Sequence, residues 1–130
     1  MRVPDAKPTM QVTATVLGTP NPQRLADFYQ RLLEWNRLDN EPGWVKLQPS
    51  SGGPGLSFQY EASFTAPRWP ASAGAPQMTM HLDIAADDLD GAVSRAEELG
   101  ARPADYQPQP HVRVMLDPDG HPFCLFTRGS

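Results

Sequence analysis

The sequence predicts an α+β fold made of two copies of one unit, each running strand, helix, strand, strand, strand. Three observations carry that prediction. Two stretches, "MQVTATVL" from Met10 and "MTMHLDIA" from Met78, alternate apolar and polar residues with a period of two, the mark of strands with one buried face. Each is followed by a segment whose apolar residues recur at helical spacing. A shift of 66 residues then superposes the units, bringing Leu33 onto Leu99, Ala14 onto Met80 and Thr15 onto His81.

In the first strand Met10, Val12, Ala14 and Val16 are apolar against Gln11, Thr13 and Thr15. The helix that follows is "NPQRLADFYQRLLEW". Asn21 suits its N-cap, and Pro22 suits its first position, where a backbone N–H has no intrahelical partner anyway. Leu25, Phe28, Tyr29, Leu32 and Leu33 form the stripe that faces a core. Extended pieces at 37–38, 44–47 and 55–60 complete the unit. "APRWPASAGAPQ" is the longest run without periodicity and reads as a linker between the halves. The units therefore cover about 10–61 and 78–127, with 62–77 between them, in a single domain 1–130.

The second strand sets Met78, Met80, Leu82 and Ile84 against Thr79, His81 and Asp83. In "DDLDGAVSRAEELG" Asp87 or Asp88 caps a helix, and Leu89, Ala92, Val93, Ala96 and Leu99 make its stripe. Gly100 fits the position just past its end. Extended pieces follow at 102–105, 112–116 and 123–127. Between the last two, "DPDG" is a turn that feeds His121-Pro122 into the final strand, so His121 reads as a turn residue.

Composition limits the functions on offer. A chain of 130 residues builds one core rather than two ordinary domains. Its net charge of −4, with two lysines and no basic run, gives no footprint for a nucleic acid. No stretch approaches ~18 consecutive apolar residues, and "MRVPDAKPTM" lacks the apolar segment of a secretion signal, so the expected location is cytoplasmic and off the membrane. One cysteine excludes an intrachain disulfide.

Sheets covered by helices on one side bury one strand face and turn the other toward a concavity. Taking the apolar even residues as the helix-facing set, Thr13 and Thr15 of the first strand and Thr79, His81 and Asp83 of its counterpart face that concavity.

The repeated unit, together with "LADFYQRLLEW", "PRWP", "MHLDIAADDLDGAVSRAEELGA" and "LDPDGHPFCLF", resembles the vicinal oxygen chelate superfamily over about residues 10–127, and more narrowly the glyoxalase-like domain proteins of actinomycetes. The superfamily includes glyoxalase I, extradiol dioxygenases and the bleomycin-resistance proteins. The resemblance implies two βαβββ modules forming a curved eight-stranded mixed sheet around a cavity, with the helices outside. It implies a divalent metal held by the first and last strands of each module, at positions that fall on Thr15 and His81, on Cys124, and on Gln59 or Ser57. It also implies a homodimer with pockets near the subunit interface.

A catalytic zinc site takes at least three protein ligands. One imidazole, a hydroxyl, an amide and a thiol, with no carboxylate at a matched position, lead us to expect no metal, no cofactor and no catalytic residue. The alternation of Phe123 and Leu125 with Cys124 and Phe126 places the latter two in the cavity, and Trp44, Tyr60 and Trp69 offer flat faces for stacking. The expected function is a small-molecule binding protein of the bleomycin-resistance type that sequesters an antibiotic or other bulky, partly aromatic metabolite. Thr15, Gln59, His81, Arg113 and Cys124 would orient it, and Trp44, Tyr60, Trp69 and Phe126 would enclose it. The alternatives are a metal-dependent lyase, isomerase or dioxygenase using His81, and a regulatory domain whose cavity is filled by side chains.

Overall fold

The computed structural model describes residues 7–127 except Ala71 and Thr79, so the expectation that Thr79 faces the cavity lies outside the described residues. The first module contains β1 (Ala14–Thr19), α1 (Pro22–Leu33), β2 (Asn36–Glu41), β3 (Trp44–Gln48) and β4 (Gly55–Tyr60). The second contains β5 (Leu82–Ala86), α2 (Leu89–Glu98), β6 (Arg102–Pro103), β7 (Val112–Leu116) and β8 (Pro122–Thr127). This is the predicted α+β arrangement. The eight strands divide into two mixed four-stranded sheets, ordered β1-β4-β3-β2 and β5-β8-β7-β6, in which the first and last strands of each module pair in parallel.

Local chemistry places the helix starts where the sequence does. Asn21 Oδ1 accepts from the Arg24 backbone N–H at 3.1 Å, and Asp88 Oδ1 accepts from that of Gly91 at 3.1 Å. Gly55 opens β4 because nothing larger fits there: a Cβ would stand 2.1 Å from the Leu47 carbonyl oxygen of the neighbouring strand.

The interval between the two N-caps, Asn21 and Asp88, is 67 residues, and the same interval carries Leu17 to Ile84 and Phe58 to Leu125 in the matching strand pairs. The expected shift of 66 is therefore one residue short. Its source is the adjacent pair Leu32 and Leu33, both packed against the core, of which Leu32 and not Leu33 corresponds to Leu99. On a helix one residue of slip changes little, but on a strand it reverses the face. In β1 it is the odd residue Leu17 that packs on the helix-side core, whereas Val16 is 49% exposed. The expectation that the even residues of this strand face the helices is thus overturned. The alternating run also starts packing later than expected, since Met10 and Val12 lie exposed ahead of β1. In β5, Leu82 and Ile84 do face the helix-side core.

One continuous core joins the modules. Tyr29 of α1 stacks on Phe58 of its own sheet, with ring centroids 5.8 Å apart, and meets Phe123 of the other module edge-on at 6.0 Å. Around these rings Leu25, Leu47, Leu56, Met115 and Leu125 are buried, each worth about 1.5–3 kcal/mol of transfer free energy. Polar contacts reinforce the seam. The Tyr29 hydroxyl donates to the buried Asp117 Oδ2 at 2.7 Å, and His121 Nε2–H donates to the Gly18 carbonyl at 2.8 Å. His121 also packs against Phe64, and Arg24 pairs with Asp119. The "DPDG" segment is a turn, as predicted, with Gly120 at φ +92°. It also latches one module to the other. Among the described residues no helix is long and apolar enough to cross a membrane.

Candidate functional site

In the second sheet Asp83 lies directly opposite Cys124 in the parallel pair of β5 and β8. Residues in register leave a sheet on the same side, and Phe123 and Leu125 already occupy the side facing α2. Asp83 and Cys124 therefore stand on the outer, concave side, joined by His81 two residues before Asp83. There a hollow of about 380 Å³ opens. Val112 and Val114 of β7 and Phe126 of β8 form its apolar floor, Pro108 and Gln109 its rim, and Trp69 a wall.

Trp69 owes its place to the linker. The Arg68 N–H donates to the Pro76 carbonyl at 2.8 Å, and Arg68 bridges to Gln77, which brings these two points of the linker together. The indole packs against Ala104, Val114 and Cys124, and its ring centroid lies 4.9 Å from that of His81. The opposite rim is held by side chains. Gln107 Nε2 donates to the carbonyls of Ala104 and Val114, while its Oε1 accepts from the Val114 N–H, each at 2.9 Å, so one amide replaces a missing strand partner. Arg113 shares the helix-side face of Met115, and its guanidinium donates to the carbonyls of Pro110 and Val112 at 3.0 Å each.

At one end of this apolar hollow three polar groups converge. His81 Nε2 lies 3.0 Å from Asp83 Oδ1, and the donor atoms of His81, Asp83 and Cys124 all lie within 4.8 Å of one another. Burial, and after it the negative charge of Asp83, pushes the Cys124 thiol up to about 11. A nucleophilic cysteine needs the opposite shift. That upward shift disfavours the thiolate near neutral pH, so Cys124 is poorly suited to attack.

Of the residues expected to contact a ligand, Trp69, His81, Cys124 and Phe126 line this hollow. Thr15 lies on the helix-side face of β1, in a separate crevice of about 60 Å³ with Leu17 and Tyr29, which His81 touches from the other module. Trp44 and Gln59 pair with each other across β3 and β4 of the first sheet. There the Trp44 indole reaches toward Asp39 and the Gln59 amide donates to Glu61. Tyr60 is 54% exposed at the end of β4, and Arg113 points away from the hollow to hold its rim. The concavity is therefore built from the second module and the linker, without a contribution from the first module among the described residues. Asp83 was legible as cavity-facing from its parity with His81, and it supplies the carboxylate that comparison with matched positions left out. Val112 and Val114 alternate with Arg113 and Met115, which was the signal for their place in the floor.

The glyoxalase-like domain family model matches residues 14–126. The chain belongs to that family. Its fold is the paired βαβββ arrangement of the vicinal oxygen chelate superfamily. No curated protein sequence matches the chain. Among solved structures it is similar to a glyoxalase/bleomycin resistance protein/dioxygenase family enzyme from Burkholderia phytofirmans PsJN, at 15% identity and a TM-score of 0.66, over 88% of this chain and 96% of that one. A glyoxalase-related enzyme from Fulvimarina pelagi superposes at 18% identity and a TM-score of 0.66, over 92% and 89%. TnmS3, an antibiotic-binding protein from Streptomyces sp. CB03234, does so at 20% identity and a TM-score of 0.58, over 95% and 100%.

The metal shell that membership of the glyoxalase-like family implies, with donors from both modules, does not fit this chain. The 67-residue interval pairs His81 with Ala14 and Cys124 with Ser57. Alanine has no donor atom. Ser57 is buried on the first sheet, its hydroxyl without a hydrogen-bond partner among the described residues.

Proposed function

We propose that this glyoxalase-like protein binds a small, partly aromatic molecule in the hollow of its second module and holds it without turnover, in the manner of a bleomycin-resistance protein. The observation that carries this reading is the hollow itself: about 380 Å³, within the range of about 300–1,000 Å³ usual for ligand sites, with an apolar floor, an indole wall and one polar end. Trp69 offers a face for a planar guest, and the pair of His81 and Asp83 offers a donor and an acceptor to orient it. The raised Cys124 thiol argues against covalent chemistry on the guest. TnmS3, of similar fold, is an antibiotic-binding protein, which supports a secondary metabolite as the guest class. The reading includes a cytoplasmic homodimer.

A thermal-shift panel of planar natural products, antibiotics among them, tests the proposal, because a ligand that prefers the native state raises the melting temperature by mass action. A hit whose shift disappears in Trp69→Ala supports it. A diverse panel without a single hit would leave the hollow as a structural feature of a regulatory domain.

A further inference from the structure

We propose that His81, Asp83 and Cys124 form a self-contained site for a borderline divalent cation such as zinc, confined to the second module and independent of any donor from the first. This goes beyond the ligand-binding reading and does not rest on it. Three features of the structure lead to it.

The first is the donor set: one imidazole nitrogen, one carboxylate oxygen and one thiol sulfur, with His81 Nε2 and Asp83 Oδ1 3.0 Å apart and all three donors within 4.8 Å. In a tetrahedral zinc site with bonds of about 2.0–2.3 Å, neighbouring donors stand roughly 3–4 Å apart, so side-chain torsions alone close the set. The second is its construction. Asp83 and Cys124 are paired across the adjacent parallel strands β5 and β8, which fixes their Cα positions, and His81 lies two residues before Asp83, immediately ahead of β5, with its ring held 3.0 Å from Asp83 Oδ1 and against the Trp69 indole. The third is the surroundings. Trp69 packs on His81 on one side, and the hollow opens on the other. Three protein ligands with a vacant direction toward a cavity make an open site, able to take water or a donor atom from a guest as the fourth ligand.

Asp83 distinguishes this site from the shell implied by the fold. That shell needs both modules, and here the first contributes Ala14 and Ser57 at the corresponding positions. The carboxylate comes instead from β5, two residues after the imidazole. The mixture of nitrogen, oxygen and sulfur selects zinc or cobalt(II) over magnesium or calcium, which prefer all-oxygen shells.

The experiment is a cobalt(II) titration of tag-free, metal-stripped protein, followed by displacement with zinc. Cys124 is the only cysteine, so a thiolate-to-cobalt charge-transfer band reports this site alone. The expected result is one equivalent of cobalt giving that band together with the intense visible bands of a four-coordinate ion, abolished by zinc and unaffected by magnesium. Cys124→Ser should lose the charge-transfer band. Asp83→Asn and His81→Ala should weaken binding by roughly 100-fold or more, the upper end of what losing even an outer-sphere partner costs. Zinc should raise the melting temperature of the wild type and not that of Asp83→Asn, whose own circular dichroism and metal-free melting confirm that it folds. The proposal is overturned if no stoichiometric charge-transfer band appears, or if folded Asp83→Asn binds as tightly as the wild type. Neither outcome touches the thermal-shift result for organic guests.

Discussion

Replacing Asp117 with alanine should cost the protein about 2–6 kcal/mol, although the residue lies outside the candidate site. Its carboxylate is fully buried and accepts three hydrogen bonds: from the Tyr29 hydroxyl at 2.7 Å and from the backbone N–H groups of Asp119 and His121 at 2.9 Å each. Tyr29 is itself fully buried, so a stranded hydroxyl there costs about 1–3 kcal/mol, and each turn amide, closer to solvent, about 0.5–1.5 kcal/mol. Asp117→Asn keeps the shape and, with the Tyr29 hydroxyl reversed to accept, all three contacts, so its cost should be below about 1 kcal/mol. The pair also has a signature in pH. Burial pushes the Asp117 carboxyl above its ordinary range, against the pull of His121 and of its hydrogen bonds. A carboxyl raised in the folded state binds more protons folded than unfolded, so its contribution is fully present below the unfolded value of about 3.9 and is lost as pH rises through the folded value. Wild-type stability minus that of Asp117→Asn should therefore fall as pH rises above about 4, opposite to an ordinary surface carboxylate. Urea denaturation of the three proteins across that range measures both effects. A loss under about 1 kcal/mol for Asp117→Ala, or a difference that grows with pH, would refute the account of the seam.

Three further outcomes follow from the geometry. Trp69→Ala should lower the affinity for a planar guest by at least about tenfold, since a stacked aromatic pair alone is worth about 0.5–1.5 kcal/mol before the lost apolar area is counted; calorimetry with any hit from the ligand panel reads it. In metal-free protein at pH 8, iodoacetamide should label Cys124 about 100-fold more slowly than an unperturbed thiol of pKa about 8.5, because the thiolate is the reacting form and its pKa is pushed up to about 11; labelling at the ordinary rate would contradict the burial of that thiol. Gly55→Ala should destabilise by about 1–3 kcal/mol or more, because the added methyl meets the Leu47 carbonyl of β3, an immovable partner in the ladder, and a denaturation midpoint equal to the wild type's would show that the β3–β4 register can relax.

The fold was legible because its signals are local and strong. Asn21-Pro22 and Asp88 announce helix starts by hydrogen-bonding chemistry that acts within one turn, and the helices begin there. The turn at 117–120 was equally plain, but its second role was not. That Asp117 would reach Tyr29, and His121 the Gly18 carbonyl, depends on how two modules dock, and no pattern along a single chain encodes that. The candidate site was half legible for a related reason. His81, Cys124, Phe126 and Trp69 come together because β5 and β8 keep the expected parity and the linker folds back over them. Thr15, Trp44, Gln59 and Tyr60 were assigned to the same hollow on the premise that both sheets face one space. The structure gives the first sheet its own outer face, where Lys46 lines a groove of about 430 Å³ with Gln11, Val12 and Thr13.

The slip of one residue in the internal repeat matters beyond bookkeeping, because it changes what the duplication says about chemistry. With an interval of 66, Thr15 stands opposite His81, and the two modules look like equal contributors of polar groups to one centre. With the observed 67, the counterparts of His81, Asp83 and Cys124 are Ala14, Val16 and Ser57, a set with no imidazole, carboxylate or thiol. Strand geometry is symmetric between the modules while donor chemistry is not. At those matched positions the first module offers a cation one hydroxyl, Ser57, against the imidazole, carboxylate and thiol of the second. Asp83 is the residue on which the proposed site turns: it adds a third donor two residues after His81, at a position fixed by its register with Cys124. Asp83→Asn tests that step alone, since it leaves the strand, the hollow and the other two donors in place.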